Sequence, residues 1–157
     1  MSDAITVVHP FVGAGELRLG MSRAEVRALA GPPDEVWLAC EEPGDRRESW
    51  EYVSRGWSLD FDEEDDWRLS DIDLYRPQLH GLELHGLSEE EMLAAWADAG
   101  LPGLSSDRKL EDIDTGIWEC DELEITLWTD EGRFDYLTVG PRWSEDRETI
   151  LWPEVDR

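Results

Sequence analysis

The stretch Leu19-Gly20-Met21-Ser22-Arg23-Ala24-Glu25-Val26-Arg27-Ala28-Leu29-Ala30-Gly31-Pro32-Pro33 decides how this chain is read. Ser22 followed three residues later by Glu25 spells a capping box. The serine hydroxyl can accept from the amide of Glu25 while the glutamate reaches back to the amide of Ser22. Met21 and Val26 occupy the positions of a hydrophobic staple, and Gly31-Pro32-Pro33 supplies a stop. The pattern predicts a short helix starting at Arg23. Leu17 and Leu19 lead into it. Downstream, Trp50-Glu51 is followed by a strand in which Trp57, Leu59 and Phe61 alternate with Ser58, Asp60 and Asp62.

The same devices return about 66 residues further on in the same order. Leu82, Leu84 and Gly86-Leu87-Ser88 precede a second helix with Glu91 at the box position and Met92 at the staple. Gly100 and Pro102 end it, and Trp118-Glu119 leads to a strand with Ile125 and Leu127, then Asp130-Glu131. Repeated supersecondary units share a core and commonly build a binding surface.

Outside the helices the hydrophobic period is two, the period of half-buried strands. Val36, Leu38 and Cys40 are expected to face inward. So are Ile72 and Leu74, between the outward Asp71, Asp73 and Tyr75. In the second copy Leu123, Ile125 and Leu127 should face the helix while Glu124, Thr126 and Trp128 face away. Hairpin turns are expected at Asp62 to Asp66 and at Asp130-Glu131-Gly132, with polar loops at Glu41 to Glu48 and Leu104 to Asp114. The resulting expectation is an α+β protein, one compact domain over 1–157, with two tandem helix-plus-antiparallel-meander units forming one sheet with helices on one face. Unit one covers about 12–76 and unit two about 79–140. The tail 141–157, with Trp143 and Trp152, is expected to fold back onto the sheet.

The segment from Leu19 to Pro33 resembles the opening of small outer-membrane assembly lipoprotein domains of the small-protein-A type. Their start of the form L-G-M-(S/T)-x-x-(E/Q)-V leads through a helix to a short antiparallel sheet. The tandem arrangement is similar to the β-lactamase inhibitory protein family. That resemblance implies two fused units whose sheets form a concave surface gripping another protein.

Composition limits the functional classes. Acids outnumber bases 39 to 14, for a formal charge of −25, and both halves of the chain are acidic. Such a field repels nucleic acid and anionic membranes and accelerates association with cationic partners. Nine tryptophans and 40 % hydrophobic residues exclude a disordered acidic tail. Cys40 and Cys120 are too few for a disulfide scaffold, and a small buried hydrophobe is the simplest role for each. The first residues carry neither a basic nor an apolar leader segment, and no apolar run approaches membrane-spanning length. The expected protein is soluble and cytoplasmic, without membrane or nucleic-acid partners, and its composition leaves the oligomeric state open.

Candidate chemistry is sparse. The acids of Asp62 to Asp66 lack the spacing, central glycine and terminal glutamate of a calcium loop, so a solvated turn is the better reading. Asp114-Thr115-Gly116 matches the core of an aspartic-protease motif, but Glu111-Asp112 precede it in place of an apolar strand and no second copy exists. His80 and His85 are five residues apart, on opposite faces of a strand, which disfavours a metal pair. No catalytic residue, metal or cofactor is assigned.

Tryptophan supplies the remaining signal. Trp50 and Trp118 hold equivalent places and should be core residues. Trp128 should lie on the face away from the helix beside Glu124, with Trp37 and Trp67 as possible rim residues. The expected protein-binding face comprises Asp60, Asp71, Asp73, Tyr75, Glu124 and Trp128, acids around aromatic anchors. The expected function is an acidic protein-binding inhibitor, of the immunity type, that neutralises a basic toxin or enzyme by stoichiometric masking. Two alternatives stand beside it. One is a housekeeping binding domain whose acidity is adapted to high salt, which thirteen arginines to one lysine also fit. The other is a small hydrolase with an unrecognised carboxylate site.

Overall fold

A computed structural model describes residues 5–39, 42–106 and 115–153. The chain begins with β1 (Thr6–His9), β2 (Gly13–Ala14) and β3 (Leu17–Arg18), then α1 (Arg23–Ala30). A four-strand meander follows: β4 (Glu35–Ala39), β5 (Arg47–Tyr52), β6 (Trp57–Asp62) and β7 (Arg68–Leu74). The order then repeats with β8 (Pro77–Leu79), β9 (Leu82–Glu83) and α2 (Glu89–Asp98). The second meander is β10 (Ser105–Ser106), β11 (Thr115–Cys120), β12 (Ile125–Asp130) and β13 (Arg133–Val139). A short hairpin, β14 (Arg142–Trp143) and β15 (Ile150–Leu151), closes the described chain.

Both helices start where the capping boxes place them. Ser22 Oγ accepts from Glu25 N at 3.1 Å while Glu25 Oε1 accepts from Ser22 N at 3.1 Å. Ser88 and Glu91 repeat the exchange at 3.1 and 3.0 Å. These contacts satisfy backbone donors that a helix start otherwise leaves orphaned.

The two meanders meet edge to edge. Leu137, Thr138 and Val139 of β13 pair with Leu74, Asp73 and Ile72 of β7, giving one sheet of eight strands in the order β10-β11-β12-β13-β7-β6-β5-β4. Both hairpins carry a bulge at corresponding places. In β7, Ser70 is the extra residue between the partners of Asp60 and Phe61; in β13, Asp135 lies between the partners of Trp128 and Thr129. Bulges of this kind raise the local twist and redirect side chains. A second sheet, β3-β2-β1-β8-β9, joins the segments that precede the two helices, with β1 and β8 running parallel.

The α+β class with helices on one sheet face is corrected. Among the described residues strands hold 47 % and helices, short 3-10 turns included, 17 %, so the protein is mostly β, built on large antiparallel sheets. The helices span only eight and ten residues, and their fully buried side chains are Val26 in α1 and Met92 and Trp96 in α2. The core is made chiefly by strands: Leu17, Leu59, Phe61, Ile72, Leu74, Ile125, Leu127 and Leu137 are all essentially inaccessible. No described helix is long and apolar enough to cross a membrane.

Other expectations are corrected at the edges. Val36 and Leu38 do not face a core; β4 is exposed along its whole length, as the outermost strand of the sheet. Cys40 lies outside the described residues, whereas Cys120 is a buried free thiol. Trp50 is buried, but its counterpart Trp118 is only half-buried. The tail returns to the body of the protein through Trp152, which packs against the core and would meet a Cβ added at Gly20 at 3.1 Å.

Candidate functional site

Strand alternation sends the core residues of the eight-stranded sheet to one side and a polar, aromatic set to the other. Register shows how the second set is assembled. Ser49 pairs with Asp60 and Asp60 with Asp71; Ser58 pairs with Asp73, Asp73 with Thr138, and Thr138 with Thr126. Beside these rows Trp128 pairs with Tyr136. Asp60, Asp71, Asp73 and Trp128 therefore share a face, as their alternation predicts.

The aromatic part is a ladder from the middle of β12 across the middle of β13 to the residue that follows β7. Trp128 stacks on Tyr136 with ring centroids 5.3 Å apart and planes inclined by 13°, and Tyr75 packs on Tyr136 at 5.8 Å. The Trp128 indole donates to Thr138 Oγ1 at 2.9 Å, and Thr138 Oγ1 donates to Asp73 Oδ1 at 2.6 Å. Trp128 is half-buried and fixed by these contacts rather than freely exposed.

The acidic part centres on Arg47, whose guanidinium forks onto Asp62 at 2.6 and 3.1 Å and lies 3.7 Å from Asp60 and 4.0 Å from Asp71. Ser49 donates to Asp60 and Ser70 to Asp62. One cation among three carboxylates leaves the group net negative. Burial accordingly pushes the Asp71 carboxyl up to about 7, and the neighbouring Asp60 adds to the shift. Burial also raises Asp73 to about 7 against the opposing hydrogen bond from Thr138. Tyr136 and Tyr75 are raised by burial as well.

Asp71 keeps 32 % of its side-chain surface exposed, and that surface opens into a cleft of about 730 Å³. The cleft runs between Asp62, Asp71, Thr126 and Thr138 on the sheet and Trp143 and Trp152 from the tail. Glu124 lies at its wall in the turn before β12, where it is paired with Arg147 of the tail hairpin. That ion pair ties Glu124 to the tail hairpin. Tyr75, the most exposed member, forms the ladder's outer end.

Arg47, Tyr136 and Thr138 were not among the expected site residues. The alternation of Leu137 and Val139 with Thr138 could have pointed to the last of these. The same alternation reaches Tyr136, but the bulge at Asp135 turns Phe134 to the core and breaks the pattern before it.

Of the remaining sequence candidates, the acidic segment Asp62 to Asp66 adjoins this face: Asp62 holds Arg47, Asp65 and Asp66 line the cleft, and in the turn between β6 and β7 Glu63 is held down to about 2 chiefly by Arg46. His80 sits in the tight turn between β8 and β9 with φ 49°, and His85 follows β9. Asp114 lies outside the described residues, while Thr115 and Gly116 open β11. Among the described residues no group of three His, Cys, Asp or Glu side chains is placed to hold a metal.

No protein-family model matches the chain, and comparisons with curated proteins and with solved structures find no match.

Proposed function

We propose that this protein acts by stoichiometric binding, as an acidic inhibitor of the immunity type that masks a basic surface of a toxin or enzyme. The observation that carries the reading is the Tyr75, Tyr136 and Trp128 ladder set directly beside Asp60, Asp71 and Asp73 on one sheet face. Rigid aromatic side chains give large contact area at small entropic cost, and they are enriched at the centres of protein interfaces. The carboxylates complement arginine or lysine, and the charge of −25 steers a cationic partner toward the chain.

Burial makes the free site poised. Asp71 and Asp73 are raised to about 7 chiefly by burial, so near neutral pH each is divided between its protonated and charged forms. A guanidinium or ammonium arriving from the partner would favour the charged forms and expel those protons. The reading takes the cytoplasm as the compartment, in keeping with a chain of two cysteines whose Cys120 is a free thiol.

The test begins with affinity capture and identification of the bound protein, followed by titration calorimetry and an assay of the partner's activity. A one-to-one complex that suppresses that activity and is weakened by Tyr75→Ala is expected. A partner that remains active when saturated, or whose binding ignores Tyr75, Tyr136 and Trp128, would refute masking by this face.

A further inference from the structure

At one end of the eight-stranded sheet lies β4, which runs Glu-Val-Trp-Leu-Ala and, among the described residues, pairs with β5 alone. Val36 is 48 % exposed, Trp37 60 % and Leu38 71 %. A long, apolar, solvent-facing edge strand is a template for adding another strand.

A second observation on the same edge indicates the chemistry of the added strand. Glu35 of β4 lies directly opposite Glu51 of β5, a like-charged cross-strand pair. Such pairs are destabilising, and among the described residues the Glu51 carboxylate is met by a neutral donor, the hydroxyl of Ser58 at 2.8 Å. Glu35 and Trp37 share the polar face by alternation, while Val36 and Leu38 point to the opposite face. A strand laid along β4 would therefore meet carboxylate and indole on one side and aliphatic groups on the other.

We propose that β4 is a docking edge for an extended segment of the partner in which lysine or arginine alternates with aliphatic residues. The inference rests on the reading of a basic protein partner and adds to it a second surface with its own sequence preference. The cation of the added strand would relieve the Glu35 and Glu51 pair and lie against the Trp37 ring, while its aliphatic side chains cover Val36 and Leu38. A second copy of this chain fits the edge less well. Its own β4 carries no cation, and two molecules of charge −25 repel.

The probe is a short, capped, labelled peptide of alternating valine and lysine, compared with its valine and glutamate analogue. Anisotropy should show binding of the first and not the second, and hydrogen exchange should show new protection over residues 35–39. Leu38→Ser and Trp37→Ser, both on an exposed strand, should each weaken the peptide about tenfold. Glu35→Lys should reverse the preference toward the glutamate analogue. Absence of peptide binding, protection confined to β12 and β13, an unreversed preference in Glu35→Lys, or self-association through β4 in place of peptide binding would each overturn the proposal. Trp128→Ala separates the two readings. If the peptide binds β4 while partner binding ignores Trp128, masking by the aromatic face fails and the docking edge stands; if partner binding needs Trp128 and the peptide ignores β4, the converse holds.

Discussion

The indole N–H of Trp128 donates to the hydroxyl of Thr138 at 2.9 Å, and through that hydroxyl the second repeat reaches Asp73 of the first. This hydrogen-bonded chain crosses the seam where β13 meets β7, so the proposed binding face and the joint between the meanders are one structure. The consequence is that Trp128 cannot be removed without cost to the fold, contrary to what strand alternation alone suggests. Trp128→Ala loses the stack on Tyr136 and frees a partly buried hydroxyl, and should destabilise by about 2 kcal/mol. Trp128→Phe keeps the stack and loses only the N–H, and should cost about 1 kcal/mol. Urea unfolding followed by circular dichroism measures both. An alanine variant as stable as the parent would show that the network carries no energy.

The capping boxes give a local test of the repeat. Ser22→Ala and Ser88→Ala should each lower stability by about 1 kcal/mol. Because the two helices begin in different units, the double variant should lose roughly the sum. A double variant that costs no more than one single would mean the two helix starts unfold as a coupled unit.

Gly116 is held in a tighter place than its loop-like sequence context suggests. Its amide donates to Thr129 Oγ1 at 3.1 Å, and that hydroxyl donates to Glu89 Oε2 at 2.8 Å, with Trp118 Nε1 also donating to Glu89 at 3.2 Å. An added Cβ would fall 2.3 Å from Thr129 Oγ1 and 2.6 Å from Glu89 Oε2. Gly116→Ala should therefore disrupt the polar tie between α2 and the second meander, at about 2 kcal/mol. Calorimetric melting provides the measurement, and an unchanged melting temperature would contradict the packing.

The residues that sequence reading placed well are those whose structure is set locally. Ser22 with Glu25 and Ser88 with Glu91 define helix starts within four residues, and the turns at Asp62 to Asp66 and Asp130 to Gly132 need only their own backbone preferences. β4 was misjudged because alternation assigns Val36 and Leu38 to a face without saying whether anything covers it. The class differs from the α+β expectation because two clear helix signals say nothing of how short the helices are beside the fifteen described strands. Arg47 was invisible for another reason: its carboxylate partners come from β6 and β7, and only the register of three strands brings them together. Repeat equivalence holds only loosely for Trp118: both indoles donate to a glutamate, Trp50 to Glu48 and Trp118 to Glu89, but Trp50 is buried whereas Trp118 packs against the core half-exposed.

Complex formation should release protons. Partner cations set against Asp71 and Asp73 would draw carboxyls poised at about 7 toward ionisation. Calorimetric titration at pH 7 in two buffers of different ionisation enthalpy should give different apparent enthalpies, with the sign of proton release. The buffer dependence should shrink in Asp73→Asn. Equal enthalpies in both buffers would place the partner away from these carboxylates.

Stability should depend on pH through the same two groups. Aspartate in an unfolded chain titrates near 4, whereas folded Asp71 and Asp73 are raised to about 7. Between those values the folded protein holds protons that the unfolded chain has released, so stability falls as pH rises from about 4 to about 7 and levels off above. Other carboxylates titrate in the lower part of this window, which makes the difference between parent and variant the informative quantity. Asp73→Asn keeps an acceptor for Thr138 and removes the buried charge. It should match the parent at pH 4 and become progressively more stable than it up to pH 8. Arg47→Gln should act in the opposite sense, because the guanidinium is the cation that opposes the rise at Asp71. Urea unfolding at pH 4, 6 and 8 at constant ionic strength gives both difference curves. A difference for Asp73→Asn that is flat across this range would mean that Asp73 is ionised in the folded protein as readily as in water.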